Sequence, residues 1–143
     1  MKIYIKKLHK DAIIPTYQTD GASGFDFHAI EDTMIHPSET KLLPTGLQIS
    51  FPLGTELQIR PRSGLSLKTG LRIPNSPSTI DSDYLKEIGI ILHNTAKTEI
   101  LIRKGDRIAQ GVLCPVLRGE IVESEEVYDI KSNRIGGFGS TGD

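Results

Sequence analysis

The chain has 143 residues, enough for one domain and too few for two comfortable hydrophobic cores. Only 37% of residues are hydrophobic and 6% aromatic, without Trp, so Ile, Leu and Val must build the core, while 14 Gly and 8 Pro exclude a chain of long helices. Seventeen basic against 18 acidic residues leave a net charge of −1, which argues against a broadly basic nucleic-acid coat, and a single Cys excludes an internal disulfide or a Cys-rich zinc site.

Along the chain, Ile3 and Ile5 alternate with Tyr4 and Lys6, a half-buried strand rather than a signal-peptide core. Gly21 to Phe27 sets Asp26 between Phe25 and Phe27, a carboxylate in an apolar, strand-like setting that would suit a hard cation or a structural hydrogen bond. Leu57 and Ile59 alternate with Glu56, Gln58 and Arg60, a second half-buried strand. Ser63 to Lys68, after Pro61 and Arg62, is the one short helix expected. Asn75 to Tyr84 is polar and turn-rich and reads as a hairpin. Ile88 to Leu92 reads as a strand buried on both faces, and Ile100 and Ile102 as a further short strand. Gln110 is a polar residue in the apolar strand that follows Arg107. Breakers between these runs, such as Pro44-Thr45-Gly46 and Lys104-Gly105-Asp106, point to an all-β sandwich or barrel. No apolar run approaches the ~20 residues of a membrane span, so a cytoplasmic location is expected. Residues 133–143 hold four glycines and little to bury, a mobile C-terminal arm beside a main domain of residues 1–132.

Three segments carry the chemistry. At Arg62-Ser63-Gly64 a guanidinium fork, a hydroxyl and an unobstructed N–H suit a phosphate; the plain alternative is a helix start with a capping Ser and a solvated Arg. In Asn75 to Tyr84, Asp81 is a candidate general base toward water and Tyr84 a candidate ring face for a sugar or base, against simple turn roles. In Arg134 to Gly142 the glycines suit phosphate oxygens and Phe138 suits a base, against a plain Gly/Ser tail. His9, His28, His36 and His93 lack metal-ligand spacing, and Cys114 beside Pro115 reads as a small buried residue.

The order of the segments adds what none holds alone. Ala22 to Phe27 (with Ser23 before Gly24), Pro61 to Leu65, Asn75 to Tyr84, Arg107 to Gln110 and Gly136 to Gly142 resemble, in order, the five motifs of the trimeric deoxyuridine triphosphatase (dUTPase) family. The resemblance implies a jelly-roll-like subunit, a homotrimer with shared active sites, and Mg²⁺-assisted hydrolysis of dUTP to dUMP and pyrophosphate. It implies Asp81 as the residue that activates water, and Arg62, Ser63, Gly64 and Gln110 on the phosphates. Asn75 and Ile80 would read the uracil, Tyr84 would pack on the deoxyribose, and Asp26 would touch Mg²⁺ through water. From a neighbouring subunit Phe138 would cover the base, with Arg134, Gly139, Ser140 and Thr141 on the phosphates. Neither stable nucleic-acid binding nor a membrane is implied. Ser78 and Lys86 stand where the family usually has Gly, and Arg134 lies one residue closer to Phe138 than is common, with Lys131 as a fallback cation. A dCTP deaminase of the same architecture and a non-catalytic nucleotide-regulated binding protein are the competing readings.

Overall fold

A computed structural model describes residues 1–125. The expected strands form, and all pair antiparallel. β1 (Tyr4–Lys7), β4 (Thr40–Ser50), β8 (Glu87–Asn94) and β6 (Leu71–Arg72) make one sheet, in the order β1-β4-β8-β6. β2 (Phe25–His28), β10 (Arg107–Pro115), β5 (Thr55–Arg60) and β7 (Ser78–Ile80) make the second, in the order β2-β10-β5-β7. A small third sheet pairs β3 (Thr33–Ile35) with β9 (Ile100–Ile102). The helix α1 spans Ser63–Lys68, as the sequence predicts. The result is a jelly-roll-like all-β fold.

Alternation explains the core. Leu57 and Ile59 of β5, Ile88, Ile90 and Leu92 of β8, Leu43, Leu47 and Ile49 of β4, and Phe25 and Phe27 of β2 turn inward and form one cluster. Each such side chain contributes about 1.5–3 kcal/mol through burial. Gly111 lies in the middle of this packing: a Cβ there would stand 2.8 Å from Phe27 and 2.9 Å from Phe25. Two buried polar side chains are satisfied by backbone. Asn94 donates to the carbonyls of Ile35 and Thr98 and accepts from the Ala96 N–H, and Thr45 donates to the Ile88 carbonyl.

Two expectations are corrected. β8 is buried on one face only: Gly89 and Ile91 are half-buried, because among the described residues no layer lies over that face. Asn75 to Tyr84 is not a strand hairpin. β7 pairs with β5 and β8 with β4 and β6, so residues 81–86 cross from one sheet to the other. The division at residue 133 lies outside the described residues. Among the described residues no helix is long and apolar enough to cross a membrane.

Candidate active site

The described candidate residues fall into two clusters, one on the β7 side of β5 and the other on its β10 side. The first surrounds a cavity of about 420 Å³, within the range of small-molecule sites. Asn75, Ser78, Thr79, Ile80, Asp81 and Tyr84 form one wall; Leu42, Pro44, Gly89 and Ile91 supply an apolar floor. Local bonds set the wall. Asn75 Nδ2 donates to Ser78 Oγ at 2.6 Å, and the Tyr84 N–H donates to the Asp81 carbonyl at 3.0 Å. The Tyr84 hydroxyl donates to the Glu87 carbonyl at 3.1 Å, fixing the ring against the start of β8. Ser78 lies in β7, and Ser38 is the one described non-glycine residue with positive φ. The turn therefore does not need a glycine at 78.

The second cluster is charged. Asp26 is only 8% exposed, and both its oxygens are engaged. Arg62 Nε donates to Oδ1 at 2.8 Å and Arg107 Nη1 to Oδ2 at 3.3 Å, while Arg62 Nη1 donates to the Arg107 carbonyl at 3.3 Å. Gln110 Nε2 donates to the Pro61 carbonyl at 2.9 Å, fastening β10 to the segment that opens α1. Gly24 makes the approach possible: a Cβ there would stand 2.7 Å from Gln110 Oε1 and 3.2 Å from the Gly111 carbonyl. Gly64, by contrast, faces open space among the described residues, whose packing does not demand glycine there.

The capping alternative for Ser63 fails. The N-cap is Arg62, with extended φ and no side-chain cap bond, and Ser63 is exposed as the first helical residue. Arg62 is not the solvated residue of that alternative either, since it is turned onto Asp26. Cys114 is also corrected: it is half-buried, its Sγ 3.6 Å from Arg60 Nη2.

Arg107 is the residue that sequence reasoning passed over as a site candidate. In strict alternation it would face away from Gln110. The β10 register shifts between Arg107 and Ala109, and this bulge buries Ile108 and Ala109 in succession. Arg107 thereby joins Gln110 on the face of Asp26. The signal was present as two consecutive apolar residues between two polar ones.

His28, two residues beyond Asp26 and opposite Arg107, shares this environment. Burial holds its imidazole below the usual histidine range; the Asp26 carboxylate opposes that shift, and the Arg107 and Arg62 guanidiniums add to it. Its Nδ1 is buried without a hydrogen-bond partner among the described residues.

Among the described residues the two clusters do not meet. Ile80 pairs with Leu57, which sets Asp81 level with Glu56, whereas Gln110 pairs with Arg60. Four residues of strand separate those levels, about 13 Å. None of Arg62, Ser63, Gly64 or Gln110 lines the cavity beside Asp81. Arg134, Phe138, Gly139, Ser140 and Thr141 lie outside the described residues, as does Lys131.

As for a metal, no group of three or more His, Cys, Asp or Glu side chains comes together among the described residues. With both oxygens on guanidiniums, Asp26 fits a magnesium ion only through a water, which suits a metal that dehydrates reluctantly.

Comparison with known proteins agrees with the fold and the motifs. The family model described as dUTPase matches residues 10–142. The chain is 52% identical over 142 residues to the deoxyuridine 5'-triphosphate nucleotidohydrolase of Nautilia profundicola, covering 99% of each chain. It is 49% identical to that of Helicobacter pylori, covering 99% of this chain and 97% of the relative. Among solved structures it is similar to the dUTPase of Staphylococcus bacteriophage 80alpha with dUPNHPP. That match has a TM-score of 0.91 and 27% identity, over 99% of both chains. The dUTPase of phage phi11 of S. aureus, described with a structural Mg(II) ion, shares the fold at a TM-score of 0.84. Its identity is 24%, over 90% of this chain and 100% of that one.

Proposed function

The chain belongs to the dUTPase family, and from that premise we propose that it is a dUTP diphosphatase, hydrolysing dUTP to dUMP and pyrophosphate. The observation that carries the reading is Asp81 on the wall of a nucleoside-sized cavity, with Asn75, Ile80 and Tyr84 on the same wall.

In this reading Asp81 orients a water and accepts its proton as the oxygen attacks the α-phosphorus in line. The bond to the bridging oxygen breaks, and pyrophosphate leaves. Water is a weak nucleophile, so positioning and charge stabilisation supply most of the rate. Asn75 and the backbone at Ile80 read the uracil edge. The Tyr84 ring, tethered through its hydroxyl, packs on the deoxyribose where a ribose 2'-OH would collide; steric exclusion is needed because an apolar pocket alone rejects an added hydroxyl by only ~10²-fold. Arg62, Ser63, Gly64 and Gln110 hold the phosphates, and Ser63 and Gly64 are exposed at the start of α1. Arg134, Gly139, Ser140 and Thr141 add phosphate contacts, with Phe138 over the base. Asp26 would hold Mg²⁺ through a water, and the ion would supply charge neutralisation for the triphosphate.

The separation of the two clusters along β5 supports a homotrimer in which each site takes Asp81 from one chain and the Arg62–Gln110 cluster from another. The half-covered face at Gly89 and Ile91, with Leu42 68% exposed beside it, leaves apolar surface for such a contact. A cytoplasmic setting suits a chain whose single Cys is a free thiol.

The test is pyrophosphate release from dUTP, dTTP, dCTP and UTP by the parent and by Asp81→Asn. We expect a strong preference for dUTP and a loss of about 10³-fold in the variant. Ammonia release from dCTP would favour the deaminase reading, and tight nucleotide binding without turnover the binding-protein reading. An undiminished rate in Asp81→Asn would remove Asp81 from the mechanism.

A further inference from the structure

Asp26 is nearly buried, yet two guanidiniums converge on it from different elements. Arg62 reaches Oδ1 from the segment before α1, and Arg107 reaches Oδ2 from the bulge in β10. The two differ in exposure: the Arg62 side chain is 26% exposed and the Arg107 side chain 47%. A buried carboxylate needs one such partner, and losing its only one leaves an uncompensated charge. With two, the cluster holds one positive charge beyond neutrality. Arg62 is also the residue assigned above to the phosphate chain, so one guanidinium has two claimants: the Asp26 carboxylate and the substrate.

We propose that Arg107 is a positioning residue that keeps the Asp26 carboxylate paired while Arg62 is shared with the triphosphate. Arg62 and Arg107 are also directly tied, through Arg62 Nη1 and the Arg107 carbonyl at 3.3 Å, so a turn of the Arg62 guanidinium toward substrate is guided by the bulge itself. Without Arg107, Arg62 is the sole counter-charge to Asp26 and is held back from the phosphates. The substrate's charged half then binds less well while its base and sugar are unaffected. This inference rests on the reading of Arg62 as a phosphate contact and adds the means by which Arg62 is made available.

The test measures binding of a non-hydrolysable imido analogue of dUTP, and of deoxyuridine, with a chelator present so that metal held by Asp26 does not enter. Arg107→Gln is expected to weaken the analogue about tenfold, the scale of one charge-assisted hydrogen bond, and to leave deoxyuridine binding unchanged. Arg107→Lys restores most of the loss, which a purely steric role for the side chain would not predict. In an Asp26→Asn background there is no carboxylate to keep paired, and the effect of Arg107→Gln falls below about twofold. Equal weakening of both ligands, or a tenfold loss that persists in the Asp26→Asn background, overturns the proposal. Arg62→Gln separates the two levels. If it leaves analogue binding unchanged, the phosphate role of Arg62 fails and the sharing fails with it. If it weakens the analogue while Arg107→Gln does not, only the sharing fails.

Discussion

The two sides of β5 carry opposite kinds of surface. Along β7 and the turn after it the wall is of uncharged side chains over an apolar floor, with Asp81 and Glu87 as the charges around the cavity. Near Arg60 lies a network in which a nearly buried carboxylate, two guanidiniums and a carboxamide are tied to one another or to backbone. One side suits a flat, neutral group recognised by shape and a few edges. The other suits a polyanion. A deoxynucleoside triphosphate has both halves in one molecule, and among the described residues the phosphate-type groups do not line the cavity beside Asp81.

The sharpest way to break this comparison is to put each lesion in a different chain. Asp81→Asn and Ser63→Ala are each expected to lower turnover by about 10²–10³-fold. Refolded together, they should regain about a quarter of parental activity, since random assembly restores one site in four when each site draws on two chains. Mixtures as inactive as the separate variants would show that one chain supplies both halves.

Packing beneath β10 and β5 gives the next largest effect. Gly111→Ala sets a methyl 2.8 Å from Phe27 and 2.9 Å from Phe25, and is expected to cost about 1–3 kcal/mol, read as a lower thermal midpoint. Because β10 carries both Gln110 and the strand contact to β5, the loss should weaken binding of nucleoside and phosphates alike. Tyr84→Phe is smaller and one-sided. It removes a hydrogen bond worth about 1 kcal/mol or less at a partly exposed site, and should narrow the preference for dUTP over UTP a few-fold without moving the phosphate contacts.

The smallest effect is a pH drift at the charged end. His28 has a lower pKa folded than its ordinary 6.5, so the unfolded chain binds more protons between the two values. The stability contribution is present above pH 6.5 and is lost as pH falls through the folded value. Thermal midpoints should decline below that pH, and His28→Gln should flatten the decline.

Much of this was legible in sequence because the signals were local. The alternation of Leu57 and Ile59 and the short helix after Pro61 need only neighbouring residues, and both formed where expected. What failed depended on partners distant in the chain. Ile88 to Leu92 read as buried on both faces because apolar residues do not reveal whether a second layer exists. Asn75 to Tyr84 read as a hairpin because its turn residues are real, while the choice of β5 as β7's partner is a matter of register. Arg107 was hidden by one extra residue in a strand, and the distance between Asp81 and Gln110 is fixed by pairings that no single segment displays.

The approach of Gly24 to Gln110 has a consequence for how such a chain can change over generations. A methyl at position 24 would press on the Gln110 carboxamide at 2.7 Å and on the Gly111 carbonyl at 3.2 Å, so admitting it would displace the carboxamide and crowd β10 as well. That carboxamide is the group that holds Pro61, next to Arg62. A substitution at 24 would therefore be felt as a lesion at 110, and the first step away from glycine is closed while that glutamine is in use. The coupling runs in one direction: while Gln110 is in use position 24 stays glycine, although it stands just before β2 and Gln110 lies in β10, far apart in the chain.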